Sequence, residues 1–281
     1  ELSCLKNSPS YVADKITPRV RETAKFLWIV YVGITAVEAF ALMVAGMDVF
    51  DAICHSLTTM PTGGFSTKNA SIGHYDSLGI HYIIIFFMFL AGINFSLHFR
   101  AISGDFKSYI KDREFLVYLS GIIVVTSVIF LAIAVQSSHF SGLNFRESLF
   151  ATVSIMTTTG FGSADYEMWP AVVQVILLSL MFVGGMGGST AGGMKVIRCM
   201  LLVKYAALET RRVLHSRALI PVRIGNQLVI EDVVRNTLGF FLFFMSAFVL
   251  STIALAAIGL DLESAIGAAA SAMGNIGPGL N

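Results

Sequence analysis

Five apolar windows constrain this chain more than any other feature. They lie at residues 26–46, 78–99, 115–135, 168–194 and 237–260, and Glu38 is the one charged residue inside them. Each meets the roughly 17–25 residues that a helix needs to cross about 30 Å of hydrocarbon. Of the 281 residues 55% are hydrophobic and 13% charged, against roughly 45–50% and about 25% in soluble domains. The expectation is an all-α membrane protein.

Charge placement orients it. Of the 19 Lys and Arg, all but Lys68 and Arg146 fall before the first window, between the second and third, or between the fourth and fifth. Those segments share one side, which the positive-inside rule assigns to the cytoplasm. Because each basic segment abuts a span, topology explains it, and no nucleic-acid partner is expected. Cys4, Cys54 and Cys199 are scattered and imply neither a disulfide framework nor a metal site. The sequence opens on Glu1 and stops after GNIGPGLN without a closing element, as a fragment of a longer chain would.

Three segments on the opposite side superpose without a gap: DVFDAICHSLTTMPTGGFS from Asp48, NFRESLFATVSIMTTTGFG from Asn144 and DLESAIGAAASAMGNIGPG from Asp261. In each, an Asp or Asn lies 16 residues before a glycine (Gly64, Gly160, Gly277) and a Met lies 4 before it. Such repetition sets the architecture. Asp48, Asn144 and Asp261 suit helix N-caps, and Asp51 and Glu147 suit the third position of a capping box. A helix of about 12 residues rises only ~18 Å, so it re-enters rather than spans. Backbone that unwinds at that depth is tolerated only where protein buries it or where it lines a water-filled cavity.

A half-helix aimed inward places the partial negative charge of its carbonyl end near the membrane centre, which favours a cation. The residues that follow, Thr62-Gly63-Gly64-Phe65, Thr158-Thr159-Gly160-Phe161 and Asn275-Ile276-Gly277-Pro278, are candidates for turning successive carbonyl oxygens toward an axis in place of an ion's water. One such segment alone reads as an ordinary exposed turn. Three in register, each behind a capped half-helix and all on one side, read as pore loops.

The phrases PTGGFSTKNASIG (61–73), TTTGFGSADY (157–166) and GGMGGSTAGGMKVIR (184–198) resemble the Trk/Ktr/HKT superfamily of potassium transporters, and within it the TrkH membrane subunits of bacterial Trk systems, over essentially the whole chain. The resemblance implies four helix/pore-loop/helix units in pseudo-fourfold symmetry around one pore. Residues 1–25 then form a cytoplasmic lead-in, 26–110 the second unit, 111–210 the third, 211–236 a cytoplasmic connector, and 237–281 the start of the fourth, with the first unit absent. It further implies potassium ion as the species bound by the main-chain oxygens of the three filter strands. One glycine per strand suggests looser discrimination than in potassium channels, with potassium and rubidium favoured over sodium. A bacterial inner-membrane location, a homodimer and a cytosolic nucleotide-binding regulatory subunit docked on the basic face are implied by resemblance alone.

The fourth window starts as a normal span and then becomes GGMGGSTAGGM before Lys195. Glycine costs a helix roughly 1 kcal/mol per residue relative to Ala, so the helix should break. The spacing of Gly184, Gly188 and Gly192 also suits close packing between membrane helices. By resemblance the segment is instead an intramembrane gating loop below the filter, comprising Gly184, Gly185, Gly187, Gly188, Ser189, Thr190, Gly192, Gly193 and Lys195. A phosphate-binding loop fails on spacing, since Met194 separates the last glycine from Lys195.

Glu38 lies mid-span, where a carboxylate is costly. It reads either as a proton or cation relay or as a neutral or hydrogen-bonded residue facing another helix. His81 and His98 read as interfacial anchors, and Asn94 and Gln174 as interhelical hydrogen bonders. Asp48, Asp51, Glu147, Asp165, Asp261 and Glu263 would make a cation-attracting vestibule, several doubling as caps. After Cys199 comes a basic helix, and VRIGNQLVI reads as a hairpin around Gly225-Asn226. Arg211, Arg212, Arg217 and Arg223 are candidates for holding the membrane surface. No set of nucleophile, base and orienting group can be assembled from the spans, so an enzyme is not expected. The alternative class is a secondary symporter with discontinuous helices. Inverted repeats would place its re-entrant segments on opposite faces, not one.

Overall fold

The structure, a computed structural model, describes residues 20–137, 141–214, 223–225 and 227–279. Cys4, the lead-in residues 1–19, Arg217 and Asn226 lie outside the described residues, as does the side chain of Arg212.

Among the described residues the regular structure is helical apart from one short two-stranded ribbon. The helices are α1 (Val20–Val44), α2 (Val49–Thr59), α3 (Leu78–Ala91), α4 (Phe95–Ile102), α5 (Lys107–Lys111), α6 (Arg113–Ser137), α7 (Gly142–Met156), α8 (Ala171–Leu180), α9 (Val196–Leu214), α10 (Glu231–Ile258) and α11 (Leu262–Gly274). The expected hairpin is present: β1 (Arg223–Ile224) pairs antiparallel with β2 (Gln227–Leu228) in the register Arg223 to Leu228.

Helices α1, α6 and α10 are long and apolar enough to cross a membrane. They turn large side chains outward, among them Trp28, Phe40, Ile123, Phe243 and Ile253. In an aqueous protein such apolar faces would be a liability; against acyl chains they are the solvent-matched surface. Each of these helices packs on the short helix that follows it, α1 on α2, α6 on α7 and α10 on α11. The three sequence repeats are therefore three copies of one supersecondary unit.

The caps explain where the short helices start. Asp48 accepts from the Phe50 amide at 3.1 Å and Asp261 from the Ser264 amide at 3.1 Å. The middle copy departs from expectation: the N-cap of α7 is Ser141, whose hydroxyl accepts from the Asn144 amide at 3.1 Å, so Asn144 sits inside the first turn. A serine offered the same capping oxygen earlier in the chain, and the helix starts there. The capping boxes are not what Asp51 and Glu147 build. Asp51 reaches forward to Thr67, Lys68 and Tyr75, and Glu147 lies 3.9 Å from Arg146.

The second and fourth windows are not continuous helices. Between α3 and α4 the chain bends by 102° at Gly92-Ile93-Asn94. Asn94 is not an interhelical hydrogen bonder here: its side chain caps α4 by accepting from the Ser96 amide at 2.8 Å. A side chain at Gly92 would meet the Tyr118 hydroxyl and lie 2.9 Å from Thr157 Cγ2, so only glycine fits this corner. In the fourth window α8 stops at Leu180 and helix resumes at Val196. Gly184, Gly188 and Gly193 between them hold φ of +72°, +76° and +62°. No right-handed helix accommodates those angles, so the glycine spacing is not a helix-packing motif.

His98 and His81 are not interfacial anchors. His98 is buried, with Nε2 donating to the Leu90 carbonyl at 2.9 Å and Nδ1 facing the Tyr109 hydroxyl at 2.7 Å. His81 is buried with Nε2 on the Tyr75 carbonyl at 2.7 Å. Gln174 holds the loop ahead of α8, donating to the Glu167 and Trp169 carbonyls at 2.8 and 3.3 Å, rather than bonding another helix.

Candidate functional site

The three strands after α2, α7 and α11 share one backbone design. The residue two before the key glycine has positive φ in each: Thr62 at +57°, Thr158 at +56° and Asn275 at +57°. The key glycines have it too, Gly64 at +65°, Gly160 at +80° and Gly277 at +110°, whereas the residue between does not. Alternating handedness keeps successive peptide planes facing the same way instead of flipping them as an extended strand does. The hydrogen bonds show which way. Gly63 and Gly64 amides both donate to the Thr58 carbonyl, at 2.8 and 3.2 Å, and Thr159 and Gly160 amides both donate to Ser154, at 2.9 and 3.2 Å. In the last copy the Ile276 amide donates to the Ser271 carbonyl at 3.0 Å and the Gly277 amide to the Ser271 hydroxyl at 3.1 Å. The amides thus point back at the short helix, and the carbonyls point away from it.

What lies on the carbonyl side is the next strand. A Cβ at Gly64 would fall on the Thr159 carbonyl oxygen, and one at Gly160 on the Ile276 carbonyl oxygen. The same relation therefore repeats from the first copy to the second and from the second to the third, as around an axis. Gly277 ends the series with nothing within 4 Å of its would-be Cβ among the described residues. Phe65, on the strand at the other end of the arc, is 76% exposed where its counterpart Phe161 is 3% exposed. The arc holds three strands and is open on one side.

The residue six before each key glycine is a hydroxyl in all three copies: Thr58, Ser154 and Ser271. Thr58 donates to the Phe65 carbonyl at 2.8 Å and Ser154 to the Phe161 carbonyl at 2.7 Å. The carbonyls of Phe65 and Phe161, expected to face the axis with their strands, are thus drawn back toward the short helices. The hydroxyl stands at the same position in all three aligned repeats and is legible in the sequence as a recurring Ser or Thr.

Outside the strands, Asp51 anchors the returning loop, accepting from the Thr67 hydroxyl at 2.7 Å and the Tyr75 hydroxyl at 2.8 Å beside Lys68 at 3.0 Å. The Thr67 bond, with Lys68 and Tyr75, holds its carboxyl down at about 2. Asp51 is therefore a buried bracket rather than a free vestibule charge. Asp165 is a cap as well, accepting from the Glu167 amide at 3.1 Å.

On the inner side, residues 184–195 form an irregular loop against the base of the strands. Its Thr190 hydroxyl donates to the Met60 carbonyl at 2.8 Å with the Ala91 carbonyl at 3.1 Å, and the Thr62 hydroxyl reaches the Thr190 carbonyl at 3.1 Å. The Gly192 amide donates to the Thr158 hydroxyl at 2.5 Å, and a Cβ at Gly192 would lie 3.1 Å from Asn275 Cβ. The loop tip touches the same position of all three strands. Gly184, Gly185, Gly187 and Gly188 lie away from the strands: the Met186 amide donates to the Gly92 carbonyl at 2.9 Å and the Phe95 amide to the Gly188 carbonyl at 3.2 Å. The broken ends of α3 and α4 are thereby satisfied by the loop. Lys195 folds back, its ammonium donating to the Ala191 carbonyl and reaching the Ser189 carbonyl and hydroxyl, each at 3.4 Å. A cavity of about 480 Å³ opens beside it, lined by Gly187, Gly188, Lys195, Arg198, Leu201 and Phe240.

Comparison with known proteins fits this arrangement. The family model for TrkH, described as a cation transport protein, matches residues 3–281. The Trk system potassium uptake protein TrkH of Vibrio parahaemolyticus is 42% identical over 277 residues, covering 97% of this chain and 57% of the relative. The protein of that name from Escherichia coli is 40% identical over 271 residues, covering 95% and 56%. The crystal structure of the potassium transporter TrkH from Vibrio parahaemolyticus superposes with a TM-score of 0.89 at 41% identity, covering 94% of this chain and 57% of that one. The chain spans a little over half the length of these relatives.

Proposed function

The chain belongs to the TrkH family of cation transport proteins, and from that premise we propose that it forms three quarters of a potassium-selective pore in a bacterial cytoplasmic membrane. The observation that carries the reading is the succession Gly64 against Thr159, then Gly160 against Ile276. Carbonyl oxygens set in this way around an axis replace the water of a monovalent cation, and the carbonyl ends of α2, α7 and α11 add favourable potential. The free ligands on this reading are the carbonyls of Thr62, Gly63, Gly64, Thr158, Thr159, Gly160, Asn275, Ile276, Gly277 and Pro278. The open side beside Gly277 is where a fourth strand, supplied by the rest of the protein, would complete the ring. Convergence of all three strands at one level argues against inverted repeats and so against a symporter of that architecture.

The loop 184–195 is the gate. Its tip stands at the inner end of the strands, where it obstructs an ion leaving them, and the adjacent cavity gives it somewhere to go. Potassium and rubidium are preferred over sodium, with sodium not excluded, since each strand holds a short rigid section. A homodimer, and a nucleotide-binding subunit docked near α9 and the β1–β2 ribbon, complete the reading. Equilibrium binding of rubidium to the full-length protein, with sodium as competitor, tests the filter: equal affinities for the two ions would refute it.

A further inference from the structure

Glu114, in the first turn of α6, is 8% exposed and belongs to no part of the filter. One of its carboxylate oxygens, Oε1, accepts from the Gly187 amide at 2.7 Å and from the Ile197 amide at 3.0 Å. These two amides stand at opposite ends of the segment that contains the loop tip. We propose that Glu114 is a clasp: by gathering both flanks of the loop onto one oxygen it fixes their separation and holds the tip against the filter base.

The argument is geometric. A loop whose ends are free to separate can withdraw its tip, whereas one whose ends are tied has few conformations left. A single carbonyl-type oxygen has two lone pairs and can accept both amide hydrogens at once. The tip itself is held by neutral hydroxyls, Thr190 to Met60 and Ala91, Thr62 to Thr190 and Thr158 to Gly192, and the flanks also meet where the Val196 amide donates to the Gly185 carbonyl at 3.0 Å, a bond that Glu114 reinforces. Glu114 is attached instead to a spanning helix, so it holds the loop to the frame. The cavity beside Gly187, Gly188 and Lys195 is the volume that a released loop enters. Glu114 is thus a positioning residue for the gate and touches no ion.

The inference rests on the gate reading, and the test separates the two. Rubidium flux is measured for the full-length protein in liposomes, with rubidium affinity and sodium competition recorded on the same preparations. Glu114→Ala should raise basal flux about tenfold, a shift of ~1.4 kcal/mol in the closed-to-open balance, with affinity and competition unchanged. Glu114→Gln keeps a carbonyl oxygen able to accept both amides, and should restore most of the closure. Ile197→Pro removes one donor from the opposite side, in the first turn of α9 where proline is tolerated, and should also raise flux if Glu114→Ala fails to fold. Deleting residues 189–192 should raise flux whatever occupies position 114. Raised flux on deletion without a rise in Glu114→Ala or Ile197→Pro would overturn the clasp and leave the gate standing. No rise on deletion would remove the gate and the clasp together. Equal effects of Glu114→Ala and Glu114→Gln would also overturn it, since charge beside Lys195, not the shared oxygen, would then hold the loop.

Discussion

Replacing Gly160 by alanine perturbs the filter at its most crowded point. The added Cβ would coincide with the Ile276 carbonyl oxygen, 2.8 Å from its carbon and 2.9 Å from Pro278 Cδ. Neither neighbour is a flexible side-chain end, so relief must come from the backbone. Ordinary contact between carbon atoms begins near 3.5 Å, which requires the two strands to part by about 1 Å. Alanine at φ +80° adds a conformational cost of roughly 1–2 kcal/mol. An ion held by oxygens placed for its dehydrated radius loses contact with one side of such a widened ring. A misplacement of this size costs on the order of 10²-fold where atoms must meet in a fixed geometry.

Rubidium affinity in full-length Gly160→Ala should therefore fall by at least about tenfold, equivalent to ~1.4 kcal/mol, and the preference over sodium should shrink with it. Gly162→Ala is the control. Its Cβ would have Ser71 Cβ at 3.9 Å as its neighbour, and Gly162 does not need positive φ. That variant should bind as wild type does. Unchanged rubidium affinity and unchanged competition in a folded Gly160→Ala protein would refute the claim that the Gly160–Ile276 approach sets the ion site.

Ser154→Ala strips the hydroxyl that holds the Phe161 carbonyl at 2.7 Å in a buried setting. The orphaned acceptor should cost about 1–3 kcal/mol, seen as a lower Tm together with weaker discrimination against sodium; an unchanged competition curve would show that the hydroxyl is only structural. Glu38 is fully buried with neither carboxylate oxygen hydrogen-bonded, so Glu38→Met, similar in volume and without those oxygens, should raise Tm at unchanged flux, and lost flux would point to a relay instead. Asp51→Asn should loosen the outer loop at neutral pH. Because the carboxyl of Asp51 is held down at about 2, below the ~3.9 of an unfolded aspartate, its stabilising contribution is complete above pH 4 and disappears as pH falls through 2. Thermal melts of the wild type should show that acid loss and those of Asp51→Asn should not.

Three of the spans and the three repeated short-helix units were legible because they rest on length and repetition, which survive without coordinates. The filter glycines were legible for the same reason. Other features were decided by partners distant in sequence. In FLAGINFSL the Gly92 and Asn94 of the bend are a helix stop and an N-cap, but an apolar run of spanning length hides them, and the groups that satisfy the broken backbone belong to residues 186 and 188. Glu114 was equally silent. At the end of a span it looks like one more interfacial charge, and its donors lie 73 and 83 residues away. Asp51 was misread in the opposite sense, as free charge, because Tyr75 and Lys68 approach only after the loop folds back.

The two broken helices are best understood as a single device. Breaking a helix inside a membrane frees amides and carbonyls that lipid cannot satisfy, a cost of several kcal/mol per group. One break alone would need water or a side chain for each. Here the breaks meet: the Gly92 carbonyl and the Phe95 amide of one take the Met186 amide and the Gly188 carbonyl of the other. Glu114 closes the account of the second break by accepting from Gly187 and Ile197. Each irregularity is thus tolerated because of the other, and the loop is held both by hydrogen bonds at its tip and flanks and by the buried side chains of Met186 and Met194. The hydrogen bonds are ones that a modest force on α9 or α10 can trade for others. Displacing the loop would unseat Met186 and Met194, and the cavity beside Lys195 offers space on that side. On the proposed reading, this places the gate at the inner end of the filter strands, where it could move without requiring those strands to deform.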